Sequence, residues 1–184
     1  TRVRSQPKCT SKQLASTIIK PSQLHPVLIK LPTMYFDAHC HLDFNAFDGD
    51  RGHVFERAAA VGVSRFVVAG VHPNDWPRQR KLAREQPGVF WTAGIHPVAA
   101  AQMSPHALSD GLTTLPREWE RSPGPVGVGE MGLDVRFAAR ETLPQQCTAF
   151  RTQLALAREL NVPVVLHVVG AHGRVLEILR RDGL

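Results

Sequence analysis

Five short apolar runs recur along the chain at a nearly constant interval, each followed by a helical pattern. They start near Tyr35 (YFDAHCHL), Arg65 (RFVVAGV), Val89 (VFWTAGI), Pro125 (PVGVGEMGLD) and Pro163 (PVVLHVV), a mean spacing of 32 residues. Strands apolar on both faces belong to parallel sheets, and parallel neighbours need a crossover, which the intervening helices supply. After Ser104, an N-cap residue followed by Pro105, the residues Leu108, Leu112, Leu115 and Trp119 share one helical face. Cys147, Phe150, Leu154, Ala157 and Leu160 do the same further on. Helices are also expected over residues 50–61, 76–85 and about 173–181.

The spacing bounds the architecture. A (β/α)8 TIM barrel devotes roughly 31 residues to each βα unit. From residue 35 only 150 residues remain, room for about five such units. The α/β chain is therefore either the first five units of a barrel or a complete open, doubly wound sheet. Spacing does not choose between them.

Residues 1–33 lack strand or helix periodicity and are punctuated by Pro7, Pro21, Pro26 and Pro32, the pattern of a disordered leader. Met34 is read as the natural start, because four of the five lysines precede it and Lys81 then stands alone among fifteen arginines. The net charge of +6 also belongs to this leader: the first 34 residues carry six basic residues and no acid, leaving sixteen basic against sixteen acidic. Bulk charge therefore gives the domain no nucleic-acid footprint. No apolar run reaches the roughly 18 residues of a membrane span. Three widely spaced cysteines, Cys9, Cys40 and Cys147, form neither a disulfide framework nor a zinc knuckle and point to a reducing, cytoplasmic setting.

Polar residues gather at the carboxyl ends of the expected strands. Asp37, His39, His41 and Asp43 lie on or just past the first, and strand residues two apart share a face, so His39 and His41 project together. Two imidazoles at that spacing can chelate one divalent ion. Cys40 turns to the other face and is no nucleophile. His72 and His96 each end a strand before a proline; His72 is read as a turn residue and His96 as a contact to substrate or a bound water. Glu130, a carboxylate bracketed by glycines in an apolar strand, needs a partner to offset its burial. The glycines are read as room for an ion or ligand to approach. Asp134 stands at the loop entrance, orienting a ligand or touching substrate. His167 ends the fifth strand, and His172 enters the next helix. Three imidazoles and a carboxylate suit Zn, Mn or, through the carboxylate, Mg. GxGxxG and GxxxxGK[ST] phosphate loops are absent, which argues against a nucleotide cofactor.

The first-strand YFDAHCHLD, the third-strand GIHP, GVGEMGLD and the segment QQCTAFRTQLALARELNVPVVLH stand in order over residues 35–184. Together they resemble the TatD-like metal-dependent hydrolases, whose members include deoxyribonucleases. The resemblance implies a (β/α)8 barrel with a two-metal site. In it His39 and His41 hold one ion, Glu130 bridges as the catalytic carboxylate, and His167 holds the other. Val169 stands where the family usually shows an Arg two residues past the strand-five His. The family's further ligands, a sixth-strand His and an eighth-strand Asp, lie beyond the 184 residues.

For an intact protein the resemblance implies hydrolysis of DNA phosphodiester bonds by a water activated between two divalent ions. Two alternatives stand beside it: metal-assisted hydrolysis of an amide or lactone, since HxH is widespread among barrel hydrolases, and a catalytically inactive piece of such an enzyme.

Overall fold

The computed structural model describes residues 34–182; the leader expectation for residues 1–33 lies outside them. Five strands alternate with helices: β1 Tyr35–Cys40, α1 Arg51–Ala60, β2 Val63–Val68, α2 Trp76–Glu85, β3 Val89–Trp91, α3 Pro97–Gln102, α4 Pro105–Thr114, β4 Val128–Asp134, α5 Leu143–Leu160, β5 Val164–Val169 and α6 His172–Asp182.

The strand pairings decide between barrel and open sheet. β1 pairs with β2 and β2 with β3, all parallel, and β4 pairs in parallel with β5. A parallel bridge between Ala93 and Val128 joins the two sets, with Val126 N–H donating to the Trp91 carbonyl at 2.8 Å and Gly129 N–H to the Ala93 carbonyl at 2.9 Å. The order is therefore sequential, without the reversal that an open doubly wound sheet requires. Crossovers between parallel neighbours are right-handed as a rule, and in a sequential order that puts the connecting helices on one side. That is an arc of a (β/α)8 barrel, five strands long. The arc curls at its carboxyl end, where Glu130 N–H reaches the Gly70 carbonyl beyond β2 at 2.7 Å.

The core lies between arc and helices. β4, flanked by the third strand and β5, is buried along its whole length. α5 lays Phe150, Leu154 and Ala157 against it, each under 3% exposed, and complete burial of a Phe or Leu contributes about 1.5–3 kcal/mol. The helix ends on Asn161, whose left-handed φ of 52° closes the last turn. Ser104 caps α4 as expected, its Oγ accepting Ala107 N–H at 3.2 Å. No helix of the described residues is long and apolar enough to cross a membrane.

Two features go beyond the sequence pattern. Tyr35 and Phe36 on β1 are more than half exposed, and among the described residues β1 pairs only with β2. β5 likewise pairs only with β4. And α3 was not expected. Six residues are too short for a visible period, and Pro97 reads first as a strand stop; it also occupies the first helical position, where proline is pre-shaped.

Candidate metal centre

The ladder between β1 and β2 shifts register between Asp37 and Cys40. Asp37 Oδ1 accepts the His39 N–H at 3.2 Å. Asp37 thus supports the backbone there and joins neither cluster of candidate ligands. Beyond the shift, His39 and His41 project to one side, with Nε2 atoms 3.3 Å apart. Cys40 faces away, its Sγ 3.4 Å from the Val67 carbonyl. Burial pushes its thiol up to about 11, so the thiolate is scarce and nucleophilic chemistry is disfavoured there.

Glu130 Oε2 lies 3.2 Å from His39 Nε2 and 3.6 Å from His41 Nε2. Its other oxygen, Oε1, lies 3.0 Å from His167 Nδ1 and 3.8 Å from His96 Nε2. One carboxylate therefore faces two separate pairs of imidazoles. In each triad the donor atoms lie within 4.8 Å of one another.

The far sides of these rings fix what the near sides offer. Asp134, fully buried, accepts from His167 Nε2 at 2.8 Å through Oδ2. Its Oδ1 accepts the N–H groups of Arg136 and Phe137 at 2.8 and 2.7 Å. Burial would raise the Asp134 carboxyl, but the bonds from Phe137, His167 and Arg136 outweigh it and hold it below its ordinary value. An ionised Asp134 fixes the proton of His167 on Nε2 and turns the Nδ1 lone pair toward Glu130. Carboxylate–histidine pairs of this kind orient metal ligands. His96 is held the other way: its Nδ1 accepts Val98 N–H at 3.1 Å, capping α3. A neutral ring so engaged carries its proton on Nε2, which faces His167 Nδ1 at 2.9 Å. Burial first, and then His167, lower its pKa to about 4.

The donor set fits a cation. Two pairs of imidazoles gather on the two sides of the one Glu130 carboxylate, and nitrogen with carboxylate oxygen at that closeness suits a divalent ion. His39, His41, Glu130 and His167 are the residues that could hold ions.

The glycines beside Glu130 serve neighbouring backbone instead of a ligand. A Cβ on Gly132 (φ +145°) would strike the His167 carbonyl, and one on Gly94 would strike Gly129. They let β4 sit close against β3 and β5, which brings Glu130 to His167. His72 is a turn residue as expected, its Nδ1 accepting Asn74 N–H at 3.1 Å. His172 opens α6.

Reading for ligand types alone missed the buried glutamines. Gln146 hydrogen-bonds the N–H and carbonyl of Asp134 at 2.8 and 3.0 Å. Gln153 does the same for Ile95, next to His96, at 2.7 and 3.2 Å. Gln79 donates to buried Asp43 at 3.0 Å and to the Ala69 carbonyl at 3.0 Å. The available signal was polar residues within the apolar stripe of a helix: Gln146 and Gln153 are seven apart, beside Cys147 and Leu154.

The model of the family described as "TatD related DNase" matches residues 36–184. The chain belongs to that family. It is 40% identical over 148 residues to a protein of Erwinia tasmaniensis named "3'-5' ssDNA/RNA exonuclease TatD", covering 79% of this chain and 54% of the relative. It is 34% identical over 150 residues to the "Uncharacterized metal-dependent hydrolase YabD" of Bacillus subtilis, covering 82% and 56%. Among solved structures, the TatD homologue YjjV from Escherichia coli superposes with a TM-score of 0.71 at 30% identity, covering 80% of this chain and 56% of that one. The chain thus spans about half the length of the curated TatD-family relatives it matches.

Proposed function

We propose that this TatD-family chain contributes His39, His41, Glu130 and His167 to a two-metal site that hydrolyses phosphodiester bonds in DNA. The observation that carries the reading is Glu130, with one oxygen toward His39 and His41 and the other toward His167. Divalent ions at such a site, Zn, Mn or Mg, supply Lewis-acid polarisation of a phosphoryl oxygen and a water of lowered pKa. The protein supplies the rest. Glu130 positions the two ligand groups relative to each other and carries the negative charge that two cations need. Asp134 keeps His167 in one tautomer. His96 directs an N–H donor into the same space, where it can bond a non-bridging phosphate oxygen as charge develops. The likeness to the Erwinia tasmaniensis protein named an ssDNA/RNA exonuclease supports nucleic acid as the substrate. Free Cys40 and Cys147 support a cytoplasmic setting.

The test is cleavage of single- and double-stranded DNA by purified protein with Mn, Mg and Zn each added, alongside a lactone and dipeptide panel. Metal-dependent DNA cleavage that disappears in Glu130→Gln supports the reading. Hydrolysis of the panel with no cleavage of DNA overturns it. Inactivity toward every substrate, with ions still bound, supports the inactive alternative.

A further inference from the structure

Two phenylalanines that the metal site does not use stand exposed at its mouth. Phe44 lies in the loop after β1 and is 42% exposed; Phe137 lies in the loop after β4 and is 72% exposed. Both line one open cavity of about 440 Å³, together with His41, His96, Asp134 and His167.

Their backbones are held firmly. Phe44 N–H donates to the His41 carbonyl at 3.1 Å. Its own carbonyl accepts from Arg51 Nη2 at 3.0 Å. Phe137 N–H donates to Asp134 Oδ1 at 2.7 Å, so the carboxylate that holds His167 also sets this ring's position. The Phe44 ring stacks on the His41 ring, 4.9 Å between centroids at 21°. Phe44 nevertheless stays 42% exposed and lines the cavity. The Phe137 ring has the exposed Arg136 guanidinium 5.7 Å from its centroid, an aromatic face and a cation side by side.

Exposed aromatic rings fixed beside a site that cleaves a phosphodiester have a matching ligand: the unpaired bases flanking that bond. Stacking on a ring requires a base out of its duplex, and it is tolerant of sequence because every base has a π-face. Arg136 suits the adjoining phosphate. We propose that Phe44 and Phe137 form a pair of base-stacking platforms that restrict the site to unpaired nucleotides, Phe44 extending the stack begun by His41. Phe44 and Phe137 are specificity residues in this scheme: neither offers a ligand atom, and Phe44 meets the candidate ligands only by packing on the His41 ring. The inference rests on the phosphodiesterase reading above.

The probe is a phosphorothioate single-stranded oligonucleotide bearing one 2-aminopurine, with matched abasic and duplex versions. Each is titrated with the 184-residue protein in Mn2+, while cleavage of unmodified DNA is measured in the same preparations. The wild type is expected to quench the 2-aminopurine and to bind the abasic and duplex forms more weakly. Phe44→Ala and Phe137→Ala should each weaken single-strand binding about tenfold, in the range of one lost base–aromatic stack. Phe44→Trp and Phe137→Trp should restore quenching. If the alanine variants bind and quench as the wild type does while the wild type cleaves DNA, the stacking inference fails and the phosphodiesterase reading stands. Ring-dependent quenching with no cleavage under any metal leaves the platforms standing and sinks the catalytic reading. A wild type that binds none of the oligonucleotides overturns both.

Discussion

Gln153 grips Ile95 by both backbone groups, its Oε1 accepting the N–H at 2.7 Å and its Nε2 donating to the carbonyl at 3.2 Å, across 58 residues of sequence. Ile95 is at the point where the third strand has ended, and among the described residues no neighbouring strand takes these groups. The glutamine therefore does what a strand would do, and it fixes the residue next to His96. Replacing it with Met keeps the volume and leaves both Ile95 groups buried and unpaired. Gln153→Met should lose about 2 kcal/mol of stability in urea denaturation. A loss below about 0.5 kcal/mol would mean that water satisfies these groups and that the clamp is dispensable.

Asp134 reaches the candidate metal centre through His167, to which it bonds at 2.8 Å. Asn at this position keeps an oxygen for Arg136 and Phe137 but loses the charge that holds the His167 proton on Nε2. Asp134→Asn is expected to bind Mn2+ or Zn2+ about 10- to 100-fold more weakly, measured by calorimetry, with little change in fold. Unchanged affinity would remove Asp134 from the site's support.

Glu130 faces both imidazole pairs, whereas His39 faces one. Native mass spectrometry of metal-loaded protein should therefore show Glu130→Gln lowering occupancy at both positions, and His39→Ala lowering it at one only. Equal losses in the two variants would argue for a single shared ion.

The Cys40 thiol is raised from 9.0 to about 11, mainly by burial, with the carboxylates of Asp37 and Asp43 adding to it. Near pH 8 it should carry about 100-fold less thiolate than an ordinary cysteine of this type. Alkylation by iodoacetamide should be slowed to match. The sign for stability follows: the folded state favours the protonated thiol, so its contribution is complete below pH 9 and is lost as pH rises toward about 11. Cys40→Ala should remove that part of the alkaline decline in the melting temperature. Rapid alkylation of the folded protein would falsify the burial argument.

What the sequence determined by itself is local and periodic. The spacing of the apolar runs fixed the number of βα units. His39 and His41 had to share a face because strand side chains alternate, and Ser104 with Pro105 had to open a helix because only that end leaves N–H groups to cap. Ligand types at strand ends marked Glu130 and His167, and the ordered motifs marked the family. Three matters were decided only in three dimensions. Strand order is one, since equal spacing serves a barrel arc and an open sheet alike, and only hydrogen bonds such as Gly129 to Ala93 tell them apart. The role of His96 is another: a ring nitrogen is ligand or donor according to what its other nitrogen meets, and Val98 N–H is what it meets. The last is the purpose of buried polar residues. Gln146 and Gln153 each satisfy backbone groups, of Asp134 and Ile95. A sequence shows that such a residue is polar, but the groups left without partners are defined only when the strands have taken their places.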